Sequence, residues 1–175
     1  MIRFHDEHFR GVVDLDKIYL IPNIIPYGNI HRWPWYCYPD MACNLNEPWL
    51  FVEPDEALGD YIVINRTLRA RNNNIEYKWL KPFEDKIMFV GLPDEFDAYI
   101  AETELEIDHI VAGDFYNLAV YIRSCKFFIG NQSLCFALAE AMKVPRILEV
   151  CPELPNVICT GDQAYDALFT STMEY

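Results

Sequence analysis

Five short, almost wholly apolar runs recur through the C-terminal two thirds of the chain, each followed by residues that favour a helix. They are YIVIN (61–65), KIMFVG (86–91), IDHIVA (107–112), FFIG (127–130) and RILEV (146–150). Between them stand IEYKWLKPF (75–83), a helical segment ending near Pro82, and PDEFDAYIAET (93–103), which opens on Pro and acidic residues as a helix should. DFYNLAVYIRSC (114–125) carries Asp114 as its N-cap, with Leu118, Tyr121 and Ile122 on one face. SLCFALAEAMK (133–143) is the next helix, closed by Pro145. NVICT (156–160) reads as a sixth strand and GDQAYDALFTSTM (161–173) as a terminal helix.

Strands this apolar must be covered on both faces. Alternation at such short spacing predicts an α/β fold: a Rossmann-like parallel sheet of five or six strands, right-handed crossovers, and helices on both faces. The expected domain spans 58–175.

Residues 1–57 follow a different pattern. They hold six of the chain's 11 prolines and three of its four tryptophans, Trp33, Trp35 and Trp49. HRWPWYCYPD cannot form a long helix. The stretch reads as an irregular aromatic, proline-rich arm. Two roles stand open for it: packing on the domain, or contacting a partner chain or a second copy through Trp33, Trp35, Tyr36 and Tyr38.

The net charge of −13 turns away nucleic acid and anionic membrane surfaces as main partners. No apolar stretch approaches the roughly 20 residues of a membrane span. MIRFHDEHFR has no apolar h-region, so no signal peptide is expected. The six cysteines (37, 43, 125, 135, 151 and 159) form no C-x-x-C pair and read as reduced thiols of a cytoplasmic protein. No ligand spacing supports a metal site, and none is expected.

In open parallel sheets, ligands sit beyond the carboxyl ends of the strands. The first strand ends in Asn65-Arg66-Thr67-Leu68-Arg69-Ala70-Arg71, which holds three of the chain's 14 basic residues. The fourth ends in Gly130-Asn131-Gln132-Ser133. Gly130 permits close backbone approach, and Ser133 caps a helix whose first free N–H groups can hold a phosphate. Arg66 and Arg69 add charge-assisted donors. Two plainer readings stand beside these: Ser133 as a simple N-cap, and the arginines as a solvated loop balancing nearby acids.

YIVINRTLRARN, IMFVGLPDEF and LAVYIRSCKFFIGNQSLCFALAEAMKVPRILEV together resemble the donor-binding C-terminal domain of GT-B glycosyltransferases. The likeness is to the heptosyltransferase-like group that uses ADP-heptose or related nucleotide sugars, and it covers roughly residues 60–150. It implies that a donor diphosphate is held by Arg66, Thr67, Arg69, Asn131, Gln132 and Ser133. It implies that the nucleoside lies against Gly91, Glu95, Gly113 and Asn117. The nucleotide sugar would be a substrate, with no cofactor and no metal. Two features depart from the family. Its loop often reads Asp-Ser-Gly followed by His, where this chain has Ser133-Leu134 and Phe136. Its enzymes also carry a complete acceptor domain, which 1–57 are too short to form. The catalytic residues are therefore unassigned, and the expectation is a partial glycosyltransferase. A non-catalytic nucleotide or sugar-phosphate binding module and an interaction protein that kept the fold remain open alternatives.

Overall fold

A computed structural model of the chain describes residues 39–168, together with Arg32. Trp33, Trp35, Tyr36 and Tyr38 of the aromatic arm lie outside these residues.

The six strands are β1 (Ile62–Asn65), β2 (Ile87–Val90), β3 (Asp108–Ile110), β4 (Phe127–Asn131), β5 (Arg146–Glu149) and β6 (Ala164–Ala167). All pair in parallel, in the order β3-β2-β1-β4-β5-β6. The chain winds outward from β1 to β3, returns to lay β4 beside β1, and winds outward the other way. This is a doubly wound, Rossmann-like α/β fold, and strand order reverses between β1 and β4.

Strand parity explains where the helices go. Successive side chains point to opposite faces. Val63, Met88, Val90, Phe128 and Leu148 enter one core, with Ala119 and Ile122 of α2 (Phe115–Ser124) and Phe136, Ala139 and Met142 of α3 (Leu134–Met142). Ile64, Ile87, Phe89 and Ile129 enter the other, with Tyr99 of α1 (Pro93–Thr103) and Leu80 of the 3₁₀ helix Lys78–Lys86. Each fully buried Phe or Ile in these layers contributes about 1.5–3 kcal/mol.

The described part of the arm packs on the first face. Leu50 and Val52 touch that core, Asp55 N donates to Ser124 Oγ (2.7 Å), and Trp49 N donates to Ala141 O (2.9 Å).

Three expected elements differ. The segment expected as a helix over 75–83 is a nine-residue 3₁₀ helix that starts at Lys78 and runs through Pro82 to Lys86. Pro82 stands inside it, where the ring clash and the missing N–H disfavour a regular α-helix. NVICT (156–160) forms no strand, because its backbone is committed elsewhere. Thr160 O accepts from Lys143 Nζ (3.1 Å) and from the Arg146 guanidinium, and Val157 is buried in the first core. The sixth strand instead comes from AYDA, inside the stretch expected as a terminal helix over 161–173. Gln163 turns the chain in the left-handed region (φ 53°), and pairing from Arg146↔Ala164 to Glu149↔Ala167 fills the open side of β5. That pairing outweighs a weak local helix preference. The last residues of the expected helix, 169–173, lie outside the described ones.

Among the described residues no helix is long and apolar enough to cross a membrane, and the five described cysteines are unpaired.

Candidate functional site

The site begins with the loop that leaves β1. Asn65 pairs with Gly130 across the switch point. A Cβ on Gly130 would stand 2.5 Å from Asn65 O, so only glycine fits there. The close backbone approach expected of Gly130 is thus used by the chain itself. Beyond Asn65 the loop turns over the carboxyl ends of β4 and β5, and two buried side chains anchor it.

Asn131 is the first anchor. Its Oδ1 accepts from Thr67 N (2.9 Å), and its Nδ2 donates to Arg69 O (2.6 Å) and Thr67 O (3.1 Å). The residue is fully buried, and both ends of its amide hold the loop. Thr67 Oγ1 lies 3.1 Å from Arg69 O in the same knot.

Arg66 is the second anchor, and it points inward. It is 0% exposed. Its Nε donates to Glu149 Oε2 (2.7 Å), its NH2 group to Glu149 Oε1 (3.2 Å), and its NH1 group to Glu102 Oε2 (2.5 Å). Glu149 also accepts from Tyr77 Oη (2.6 Å) and from Asn72 N. Burial alone would lower the Arg66 pKa, but the hydrogen bond and charge of Glu149, helped by Tyr77 and Glu102, outweigh it and raise it. Burial, and then the Glu149 carboxylate, push the Tyr77 phenol well up, so it stays a donor. The Arg66 guanidinium is therefore turned away from solvent and occupied by carboxylates, not presented to an anion.

What the anchored loop presents is Arg69. Arg69 and Ala70 form one wall of a crevice of about 370 Å³ at the carboxyl edge of the sheet. Gln132 and Ser133 form the floor. Leu134, Phe136 and Ala137 of α3 and Leu154 and Val157 of the loop after β5 supply an apolar side. Ser133 Oγ accepts from Phe136 N (3.2 Å) and caps α3, so the simple N-cap reading of Ser133 holds whether or not an anion binds. Helix geometry leaves the N–H groups of Leu134 and Cys135 without intrahelical partners at this mouth. Arg69 is the one basic residue, and no acid is found, among the described residues lining the crevice.

The four residues expected at a nucleoside sit elsewhere on the same sheet edge, after β2 and β3. Gly91 has no room for a side chain, since a Cβ would lie 2.8 Å from both Glu95 Oε2 and Phe89 Cε1. Glu95 accepts from Leu92 N (2.9 Å) and closes the start of α1. Gly113 is exposed in the left-handed region (φ 73°), and Asn117 gives its N–H to the capping Asp114 Oδ1 (2.7 Å). None of the four lines the crevice. Of the six residues expected at a diphosphate, the structure brings Arg69, Gln132 and Ser133 to the crevice, and makes Arg66, Thr67 and Asn131 the frame that holds it.

Sequence reasoning missed Glu149, Tyr77 and the Leu154–Val157 wall. A Glu set within the run RILEV, between Leu148 and Val150, was the one signal available for Glu149.

The class defined so far is a doubly wound α/β domain with an anion-compatible crevice at the mouth of α3. No protein-family model, curated protein or solved structure matches this chain.

Proposed function

We propose that this chain binds a nucleotide-diphosphate sugar in the crevice, as a glycosyltransferase-like donor domain does. The observation that carries the reading is the meeting of Arg69, Gln132 and Ser133 at the open N-terminus of α3. The diphosphate takes the Arg69 guanidinium and the free N–H groups of Leu134 and Cys135. The apolar side of Leu154 and Val157 takes part of the base or sugar. The volume sits near the lower end of small-molecule sites, roughly 300–1,000 Å³, room for the diphosphate with one attached ring, while the other rings of the nucleotide sugar would lie outside the crevice.

In sugar transfer, negative charge grows on the departing diphosphate. Arg69 and the helix N–H groups lie where they would stabilise it. Activating an acceptor hydroxyl needs a base within about 3 Å of the hydroxyl proton. Among the described residues no carboxylate or histidine lines the crevice. That observation favours a second reading, a nucleotide or sugar-phosphate binding module without catalysis.

One experiment separates the two. Purified chain is incubated with ADP-, UDP- and GDP-sugars, with and without a panel of sugar acceptors. Binding with slow donor hydrolysis and no transfer is expected from an isolated donor domain. Binding with neither hydrolysis nor transfer selects the binding module, and efficient transfer by a monomer contradicts the absence of an acceptor base.

A further inference from the structure

Charge is placed unevenly along this chain. From Ile87 to Ile122 there are eight carboxylates and no Lys or Arg; Glu102 is paired with Arg66 and Arg71 and Glu104 with Lys78, which leaves six without a cation from elsewhere in the described residues. That stretch is β2, α1, β3 and most of α2, the β3 margin of the sheet. At its carboxyl end four large apolar side chains stand in solvent: Leu92 (61% exposed), Val111 (71%), Phe115 (74%) and Tyr116 (64%). They are brought together by the pairing. Val90 lies opposite Ile110, so Leu92 and Val111 leave adjacent strand ends, and Phe115 and Tyr116 open the helix that follows. Helix α2 spends other residues on the core, Ala119 and Ile122 with Leu118 and Tyr121 beside them. Asp94, Asp97 and Asp114 are exposed next to the four. Grouped apolar side chains with a charged rim mark a contact surface, whereas single ones need no explanation.

We propose that this margin docks a partner protein that presents an apolar or aromatic anchor within a basic rim. Charge selects that occupant. A second copy would bring the same carboxylates against themselves and be repelled. Residues 1–16 balance Arg3 and Arg10 against Asp6, Glu7, Asp14 and Asp16; residues 17–38 hold no acid, but their Lys17 and Arg32 stand fifteen positions apart, so a single Arg beside Trp33 and Trp35 falls short of a basic rim, and this segment is the rival occupant that the crosslink tests. Nucleic acid and anionic lipid are repelled as well. A basic partner gains steering from the acids and holding energy from burial of Phe115 and Tyr116, the residue types that dominate interface energetics. The proposal is independent of the crevice, which lies over β4 and β5.

The test uses the full chain and a defined probe, a short amphipathic helix with a Leu/Trp stripe flanked by lysines. A copy flanked by glutamates is the control. Binding is measured to wild type, to Val111→Ser/Phe115→Ser/Tyr116→Ser, and to Asp94→Asn/Asp97→Asn. In parallel, Phe115→p-benzoylphenylalanine is irradiated with and without the peptide. The proposal expects the lysine peptide to crosslink at residue 115, to bind the triple variant at least about tenfold more weakly, and to lose affinity in the Asn variant and with rising salt. The glutamate peptide should not bind. Equal binding to wild type and the triple variant overturns the proposal, because the attraction would then be general charge. So does crosslinking of residue 115 to residues 1–38 of its own chain or to a second copy. Loss of nucleotide binding in the triple variant also overturns it, since the margin would then belong to a nucleotide site.

Discussion

Arg66 and Arg69 are three residues apart and do opposite work. Arg66 is buried between Glu149 and Glu102, and Arg69 stands at the mouth of the crevice. Removing Arg66 leaves Glu149 charged, buried and short of a partner. Arg66→Ala should therefore cost about 3–5 kcal/mol of folding stability. Arg69→Ala should change stability by no more than about 0.5 kcal/mol. It should weaken nucleotide-diphosphate binding by about 1.5–3 kcal/mol, the worth of a charged hydrogen bond. Urea melts and titration calorimetry on the two variants read both effects, and equal destabilisation by the two would contradict this division. The sequence showed a basic loop after an apolar strand, and that much was legible. Which arginine turns inward was not. It depends on Arg66 sharing a face with Glu149, a residue 83 positions away whose strand must first be placed two along the sheet.

At the scale of elements, β1 and β4 touch so closely at Gly130 that an added methyl has nowhere to go. Its nearest neighbour would be backbone, Asn65 O at 2.5 Å, with the Phe128 ring at 2.9 Å. Gly130→Ala should cost at least about 1–3 kcal/mol through overpacking, and thermal melting reads it. A melting temperature equal to wild type would mean that the two strands part easily. The amino end of β5 is closed by a second buried cluster. Glu140 accepts from Arg146 Nε (2.6 Å) and Lys143 Nζ (2.5 Å), and Thr160 joins them. Burial alone would push the Glu140 carboxyl up; bonds from Lys143, Thr160 and Arg146 outweigh it and hold it below the usual carboxylate range. Burial pulls the Lys143 ammonium down, and Glu140 offsets only part of that. A depressed carboxyl stabilises the fold fully above its unfolded value, about 4.3, and loses that contribution as pH falls through the folded value. Glu140→Gln should thus be much less stable than wild type at neutral pH. The gap should narrow as pH drops below roughly 4.3. A gap that stays constant down to strong acid would show that Glu140 is not held ionised.

At the scale of the whole molecule, the parallel sheet and four of its crossovers were legible because β1, β2 and β4 are largely apolar runs with their own turn chemistry, and β3 and β5 lie in the runs IDHIVA and RILEV, which charged or polar residues interrupt. The sixth strand was hidden because AYDA has no strand pattern of its own; its pairing with β5 makes it one. The site was half legible for a similar reason. Loops after strands fall on one edge by topology, but whether a side chain frames a crevice or lines it is decided by long-range bonds such as those of Asn131. The central claim is that a nucleotide diphosphate is held at Arg69, Gln132 and Ser133. The direct measurement is a thermal shift of wild type and Arg69→Ala against nucleotide diphosphates and their sugars. A ligand at about 100 times its dissociation constant stabilises by about 2.7 kcal/mol, which is roughly 5–10 °C for a chain of this size. The account predicts such a shift for wild type with at least one nucleotide-diphosphate sugar, and a clearly smaller one for Arg69→Ala at the same concentration. No shift with any member of the panel, or equal shifts in the two proteins, would contradict it.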